Sequence, residues 1–167
     1  GSLQGDSDLV QIYKKIGVTT VFNNGSITLS KIPNFALPEV LDLDLRNTPD
    51  LAQTIAVSCF GLGVDCNLTG LHTLKIKETD RLEALKVELE KLGAIISITN
   101  DSLKLRFSGV INQNISIDTY NDHRMAMAFA PLAIKVPMVI NNSEVVSKSY
   151  PGFWEDFKSI DFQYDMN

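Results

Sequence analysis

The sequence predicts an α/β domain assembled from repeated strand–helix–strand–helix–strand–strand (βαβαββ) units. Three observations carry that expectation. Helical apolar stripes alternate along the chain with short runs of strand-forming residues. Two pairs of those runs close around turn signals, Asn24-Gly25 and Asn100-Asp101. The pattern also repeats itself. Lys15-Ile16-Gly17-Val18 and Asn24-Gly25-Ser26-Ile27 recur at an offset of 76 as Lys91-Leu92-Gly93-Ala94 and Asn100-Asp101-Ser102-Leu103. At an offset of 74, Asn47, Ala52 and Ala56 match Asn121, Ala126 and Ala130, which sets Asp50 opposite Arg124.

Each element has a local reason. Leu9, Tyr13 and Ile16 make a helical stripe that stops at Gly17. Thr19–Phe22 and Ser26–Leu29 are strands around the Asn24-Gly25 turn. Val40–Leu45 alternates as a strand. Asn47 or Thr48 can cap a helix with Pro49 at its first position, running through Leu51, Ile55 and Val57 to about Leu62. Cys66–Leu68 is a short strand. The next helix starts at Thr79, carries Leu82, Leu85, Leu89 and Leu92, and stops at Gly93. Ile95–Thr99 and Leu103–Phe107 form a second hairpin. Ile115–Thr119 is a strand, Asn121 or Asp122 caps a helix through Ile134, Met138–Ile140 is a strand, and Phe153–Ile160 is a last short helix. By this reading the chain begins inside one unit, spans a second and contains most of a third. An incomplete first unit predicts an exposed apolar flank.

The chain has 167 residues, 44% of them hydrophobic and 21% charged, enough for one domain with a substantial core. A net charge of −5 argues against a general nucleic-acid or anionic-membrane surface, so any anion site must be local. Cys59 and Cys66 lack metal-ligand spacing and a close histidine, and read as small buried residues of a reducing, cytoplasmic setting. No apolar run reaches the ~18 residues of a membrane span.

The candidate chemistry lies in Lys77-Glu78-Thr79-Asp80-Arg81 and in Asn121-Asp122-His123-Arg124-Met125-Ala126-Met127. Each puts an arginine in the first turn of an apolar-striped helix. A helix N-terminus carries about +0.5 elementary charge, so a cation there is unfavourable unless an anion compensates it. Two such helices in one chain suggest a shared site for phosphate or carboxylate. Taken singly, each cluster also fits a solvated helix start capped by Thr79 or Asp122, and Asp50 fits the acidic preference of a first turn. Lys148 reads as a loop lysine but for the repeat, which sets it near the position of Lys77.

These two motifs resemble the 5-enolpyruvylshikimate-3-phosphate synthase family. Leu3-Gln4-Gly5-Asp6, Thr48-Pro49-Asp50, Leu92-Gly93-Ala94, Tyr120 ahead of the second motif, and Lys148-Ser149-Tyr150-Pro151 extend the resemblance over nearly the whole chain, in order. It implies a carboxy-terminal portion of a two-domain enzyme. Each domain is built from βαβαββ units with helices packed inside mixed sheets, and residues 1–167 form most of the second domain. It implies transfer of the enolpyruvyl group of phosphoenolpyruvate to the 5-hydroxyl of shikimate 3-phosphate, with release of phosphate and no metal or cofactor. By motif position, Arg81, Arg124 and Lys148 match the cations that hold phosphoenolpyruvate. Asp50, Lys77 and Thr73 match contacts to shikimate 3-phosphate, although Thr73 replaces an Asn common in the family. Asp50 matches a base near the 5-hydroxyl, Glu78 the carboxylate that moves a proton at the methylene carbon, and His123 a supporting position. Without the amino-terminal domain, which supplies further cations, the chain is expected to be inactive by itself. Two other readings stay open: a non-catalytic anion-binding half, and a relative of the enolpyruvyl transferase that acts on a UDP-sugar, which lacks the Asn121–Met127 motif.

Overall fold

The computed structural model describes residues 5–76 and 79–165. Helix α1 (Leu9–Lys14) leads through Gly17, with φ of 89°, into the antiparallel hairpin β1 (Val18–Asn23) and β2 (Ser26–Lys31). A complete unit follows: β3 (Val40–Asp44), α2 (Ala52–Leu62), β4 (Asp65–Thr69), α3 (Arg81–Lys91), β5 (Ile95–Ile98) and β6 (Leu103–Arg106). Its four strands lie in the order β3-β4-β6-β5. β3 and β4 are parallel across the α2 crossover, whereas β6 runs antiparallel to both β4 and β5. The pattern then restarts with β7 (Ile115–Ile117), α4 (His123–Phe129), β8 (Met138–Ile140) and α5 (Phe153–Ser159). The restart keeps the register. Leu41 faces Cys66 and Leu43 faces Leu68 in the first parallel pair; Ile115 faces Met138 and Ile117 faces Ile140 in the second. The predicted mixed α/β architecture of repeated units is therefore the one observed.

Helix α2 explains how the layers close. Ala52, Gln53, Ile55, Ala56, Val57, Cys59 and Phe60 are all buried, so the helix is covered over more than half of its circumference. Such a helix has to sit inside the fold, and α2 packs against α4, α3, β4 and β6. Gly61 allows the close approach, because a Cβ there would come within 2.7 Å of Leu132 Cδ2. Phe60 meets Phe107 edge-on, with ring centroids 5.7 Å apart.

Among the boundaries that differ from the sequence expectation, three have a clear local cause. Helix α3 begins at Arg81 rather than Thr79, because the Asp80 carboxylate accepts the Glu83 N–H at 3.1 Å and takes the capping position. The helix after Asp122 stays α-helical only to Phe129 and continues as a 3-10 turn, Ala130–Ile134, since Pro131 has no N–H to give. Residues 49–51 likewise form a 3-10 turn ahead of α2, with Pro49 at its first position. The hairpin β1–β2 forms a separate two-stranded sheet. Ile27 and Leu29 are 62% and 67% exposed, while their repeat counterparts Leu103 and Leu105, flanked by β4, are fully covered. This is the exposed apolar flank expected above.

Gly70, just after β4, has φ of 76°, and a Cβ there would lie 2.4 Å from the backbone nitrogen of Arg46. Gly25 shares the left-handed conformation but faces open space. Gly25→Ala is expected to cost about 1 kcal/mol. Gly70→Ala should cost about 1–3 kcal/mol more, because backbone has to move. Equilibrium urea unfolding of the two variants measures the difference.

Candidate functional site

Three helical starts converge: the 3-10 turn Pro49–Leu51, the N-terminus of α3 and the N-terminus of α4. Arg81 is the first residue of α3 and is 2% exposed. Its Nε donates to Asp122 Oδ2 at 2.5 Å and its Nη1 to Asp50 Oδ1 at 2.9 Å. Asp122 is fully buried, and its other oxygen accepts the Arg124 N–H at 2.9 Å, which caps α4. Arg124 Nη1 reaches across to donate to the Asp50 carbonyl at 3.2 Å. Lys148 ends the 3-10 turn Ser143–Lys148, which is anchored on α4 by Val145 and Val146 packing against Ala126. Its Nζ donates to the Asn121 carbonyl at 2.6 Å.

The structure thus brings Arg81, Arg124, Lys148 and Asp50 together, as the anion-site argument requires. It corrects one part of that argument. Arg81 does not depend on an outside anion, because Asp122 and Asp50 neutralise it within the protein. Arg124 and Lys148 differ: both are steered by neutral carbonyls, and among the described residues neither forms an ion pair. Arg124 is half-buried and Lys148 exposed, so their charge faces outward beside a buried, fixed guanidinium. An arrangement of this kind can take a multiply charged anion at low reorganisation cost.

Thr73 lies on the 3-10 turn His72–Ile76, which packs against the turn holding Asp50. Its hydroxyl is buried without a hydrogen-bond partner among the described residues. His123 opens α4, and its imidazole makes no hydrogen bond among those residues. Lys77 and Glu78 lie outside the described residues. A concavity of about 1370 Å³ lies elsewhere, between β8 and α5, lined by Met138, Ile140, Trp154 and Phe157, and includes none of these side chains.

Sequence reasoning missed the second job of Asp122. It was legible as a cap, but nothing 41 residues away along the chain marks it as the counter-ion of Arg81. It also missed Gln53 and Thr119, which are fully buried with side-chain polar atoms that have no partner among the described residues. No helix among the described residues is long and apolar enough to cross a membrane.

A family model for EPSP synthase (3-phosphoshikimate 1-carboxyvinyltransferase) matches residues 1–157. The 3-phosphoshikimate 1-carboxyvinyltransferase of Bacteroides fragilis is 48% identical over 164 residues, covering 96% of this chain and 40% of that protein. Its counterpart in Buchnera aphidicola is 37% identical over 161 residues, covering 95% and 36%. The chain therefore spans about two fifths of the curated relatives it matches. Among solved structures, EPSP synthase from Acinetobacter baumannii superposes with a TM-score of 0.71 at 20% identity, over 92% of this chain and 38% of that one. The enolpyruvyl transferase NikO from Streptomyces tendae superposes with a TM-score of 0.62 at 15% identity, over 93% and 34%. At those identities the two structures speak for the fold alone.

The double role of Asp122 can be measured. Asp122→Ala removes a cap and leaves a buried guanidinium short of a carboxylate, and should cost about 3–5 kcal/mol. Asp80→Ala removes only a partly exposed cap and should cost about 1 kcal/mol. Guanidinium-chloride unfolding of both variants gives the comparison, and equal losses would show that the Arg81 pair carries no special weight.

Proposed function

The chain belongs to the EPSP synthase family, and from that premise we propose that it is the carboxy-terminal domain of a two-domain enolpyruvyl transferase. The substrates are phosphoenolpyruvate and shikimate 3-phosphate, and the products are the 5-enolpyruvyl ether and phosphate. The observation that carries the reading is the pair Arg124 and Lys148, held by carbonyls with no carboxylate partner among the described residues, beside the buried Arg81.

In this reading Arg81, Arg124 and Lys148 receive the phosphate and carboxylate of phosphoenolpyruvate. Asp50, Lys77 and Thr73 face shikimate 3-phosphate, and the unpartnered Thr73 hydroxyl supports that role. Asp50 takes the proton of the 5-hydroxyl as its oxygen bonds to C2 of phosphoenolpyruvate. Glu78 delivers a proton to the C3 methylene, giving a tetrahedral intermediate with a methyl group. Elimination reverses the second transfer: Glu78 recovers a proton from that methyl, the C2–C3 double bond re-forms and phosphate leaves C2. General acid–base work of this kind contributes about 10²–10⁴ in rate. His123, first in α4, supports the charged wall. An amino-terminal domain brings the remaining phosphate-binding cations, so the 167-residue chain alone binds phosphoenolpyruvate weakly and turns over negligibly. The reduced cysteines Cys59 and Cys66 support a cytoplasmic setting.

Two measurements test the reading. In titration calorimetry on the chain, Arg124→Ala should weaken phosphoenolpyruvate binding by roughly tenfold or more, the loss of a charge-assisted contact. In a phosphate-release assay on the chain joined to an amino-terminal domain of a family member, Glu78→Gln should lower turnover at least ~10²-fold with little change in KM. Turnover with a UDP-sugar in place of shikimate 3-phosphate would instead favour the sister enzyme. Binding of phosphoenolpyruvate without turnover in the joined protein would favour a non-catalytic anion-binding half.

A further inference from the structure

Helix α3 carries a fully buried carboxylate, Glu88, on the apolar face formed by Leu85, Leu89 and Leu92. Burying a carboxylate costs several kcal/mol unless it is paired and hydrogen-bonded, and an apolar residue would serve packing as well. Every oxygen of Glu88 is in fact used. Oε1 accepts the Tyr120 O–H at 2.7 Å and Lys91 Nζ at 2.9 Å; Oε2 accepts Lys91 Nζ at 2.8 Å and the Asp118 N–H at 3.1 Å. Lys91 also donates to the Asp118 carboxylate at 3.0 Å, and Asn141 donates to the other Asp118 oxygen at 2.7 Å. Burial alone would lower the Lys91 ammonium, but the Glu88 and Asp118 carboxylates hold it above the ordinary lysine range. Burial and then the Glu88 carboxylate push the Tyr120 hydroxyl up, so it remains a donor throughout the neutral range.

This network grips the segment that leads into the candidate site. Tyr120 and Asn121 have φ of 54° and 58°, two consecutive non-glycine residues in the left-handed region. Each such residue costs about 1 kcal/mol or more and persists only where the surroundings impose it. The double kink turns the chain so that the Asn121 carbonyl meets Lys148, while Asp122 meets Arg81 and caps α4. Glu88 itself lies seven residues beyond Arg81 on the same helix, about two turns away, and bonds to none of Arg81, Arg124 and Lys148.

We propose that Glu88 is a positioning residue that acts through the Tyr120 hydroxyl to hold the Tyr120–Asn121 kink, and thereby sets the geometry of the Arg81–Asp122 pair and of Lys148. One helix thus supplies both a cation of the site and the brace for the opposing helix start. The inference rests on the site reading above only for its ligand readout.

The test uses Tyr120→Phe, which removes one hydroxyl, and Glu88→Gln, which keeps the side-chain shape. The first readout needs no ligand: the Arg81 Nε–H resonance in ¹⁵N-labelled protein, shifted and protected by its bond to Asp122. Both variants should shift it and speed its exchange with solvent. The second readout is phosphoenolpyruvate affinity well below the melting temperature, which should fall roughly tenfold, the loss of a charge-assisted hydrogen bond. Tyr120→Phe added to Glu88→Gln should change affinity less than about twofold further, because both cut one link. Lys86→Ala, on the outer face of α3, should change neither readout. A folded Tyr120→Phe protein with an unchanged Arg81 signal would overturn the proposal. If Glu88→Gln fails to fold, Tyr120→Phe alone decides. If the wild-type chain joined to an amino-terminal domain of a family member takes up no phosphoenolpyruvate, the site reading fails, and the Arg81 signal still decides for or against Glu88.

Discussion

The ion pair between Arg81 and Asp122 is the interaction on which the site geometry depends. Both groups are almost completely buried, where removing two charges from water can cost more than their attraction returns. Such a pair is weak evidence for stability. Here it fixes orientation. Arg81 is the first residue of α3 and Asp122 caps α4, so one contact locks two helix starts against each other. Asp50 extends the lock to a third start, giving its carboxylate to Arg81 and its carbonyl to Arg124. Two carboxylates in a cation-rich cluster also limit the positive charge that the fold must tolerate with no ligand bound, which would otherwise splay the helix ends apart.

The internal repeat gives this lock a deeper origin. Asp50 and Arg124 occupy equivalent places in successive units, 74 residues apart, and they touch in space. When units related by a repeat pack around a common centre, equivalent positions near that centre become neighbours. The shared register of the two parallel strand pairs, with Leu41 opposite Cys66 and Ile115 opposite Met138, is the backbone counterpart of the same symmetry.

Much of this was legible in the sequence because it is encoded locally. Gly17, Asn24-Gly25, Pro49 and the apolar stripes each act on their own few residues, and the elements they announce appear at or near the expected places. The boundaries that moved did so through equally local competition, Asp80 against Thr79 for a cap and Pro131 against the end of a helix. The convergence of Arg81, Arg124, Lys148 and Asp50 was legible only because two first-turn arginines are an energetic oddity that asks for a common explanation. The identity of the counter-ion was not. Asp122 has an adequate local reason to exist as a cap, and so conceals its long-range one. Glu88 was hidden differently: a glutamate three residues before a lysine reads as an ordinary surface pair, and only tertiary packing shows it buried.

The β1–β2 hairpin has a consequence for the molecule in bulk. Its outer strand runs six residues from Ser26 to Lys31, every one exposed, with Lys31 as its sole charged side chain. Strand edges of that length invite further strands to add, and natural sheets blunt them with charge, proline or a bulge. This edge has one terminal lysine to do so. In bulk solution this is therefore a place where a further strand can pair.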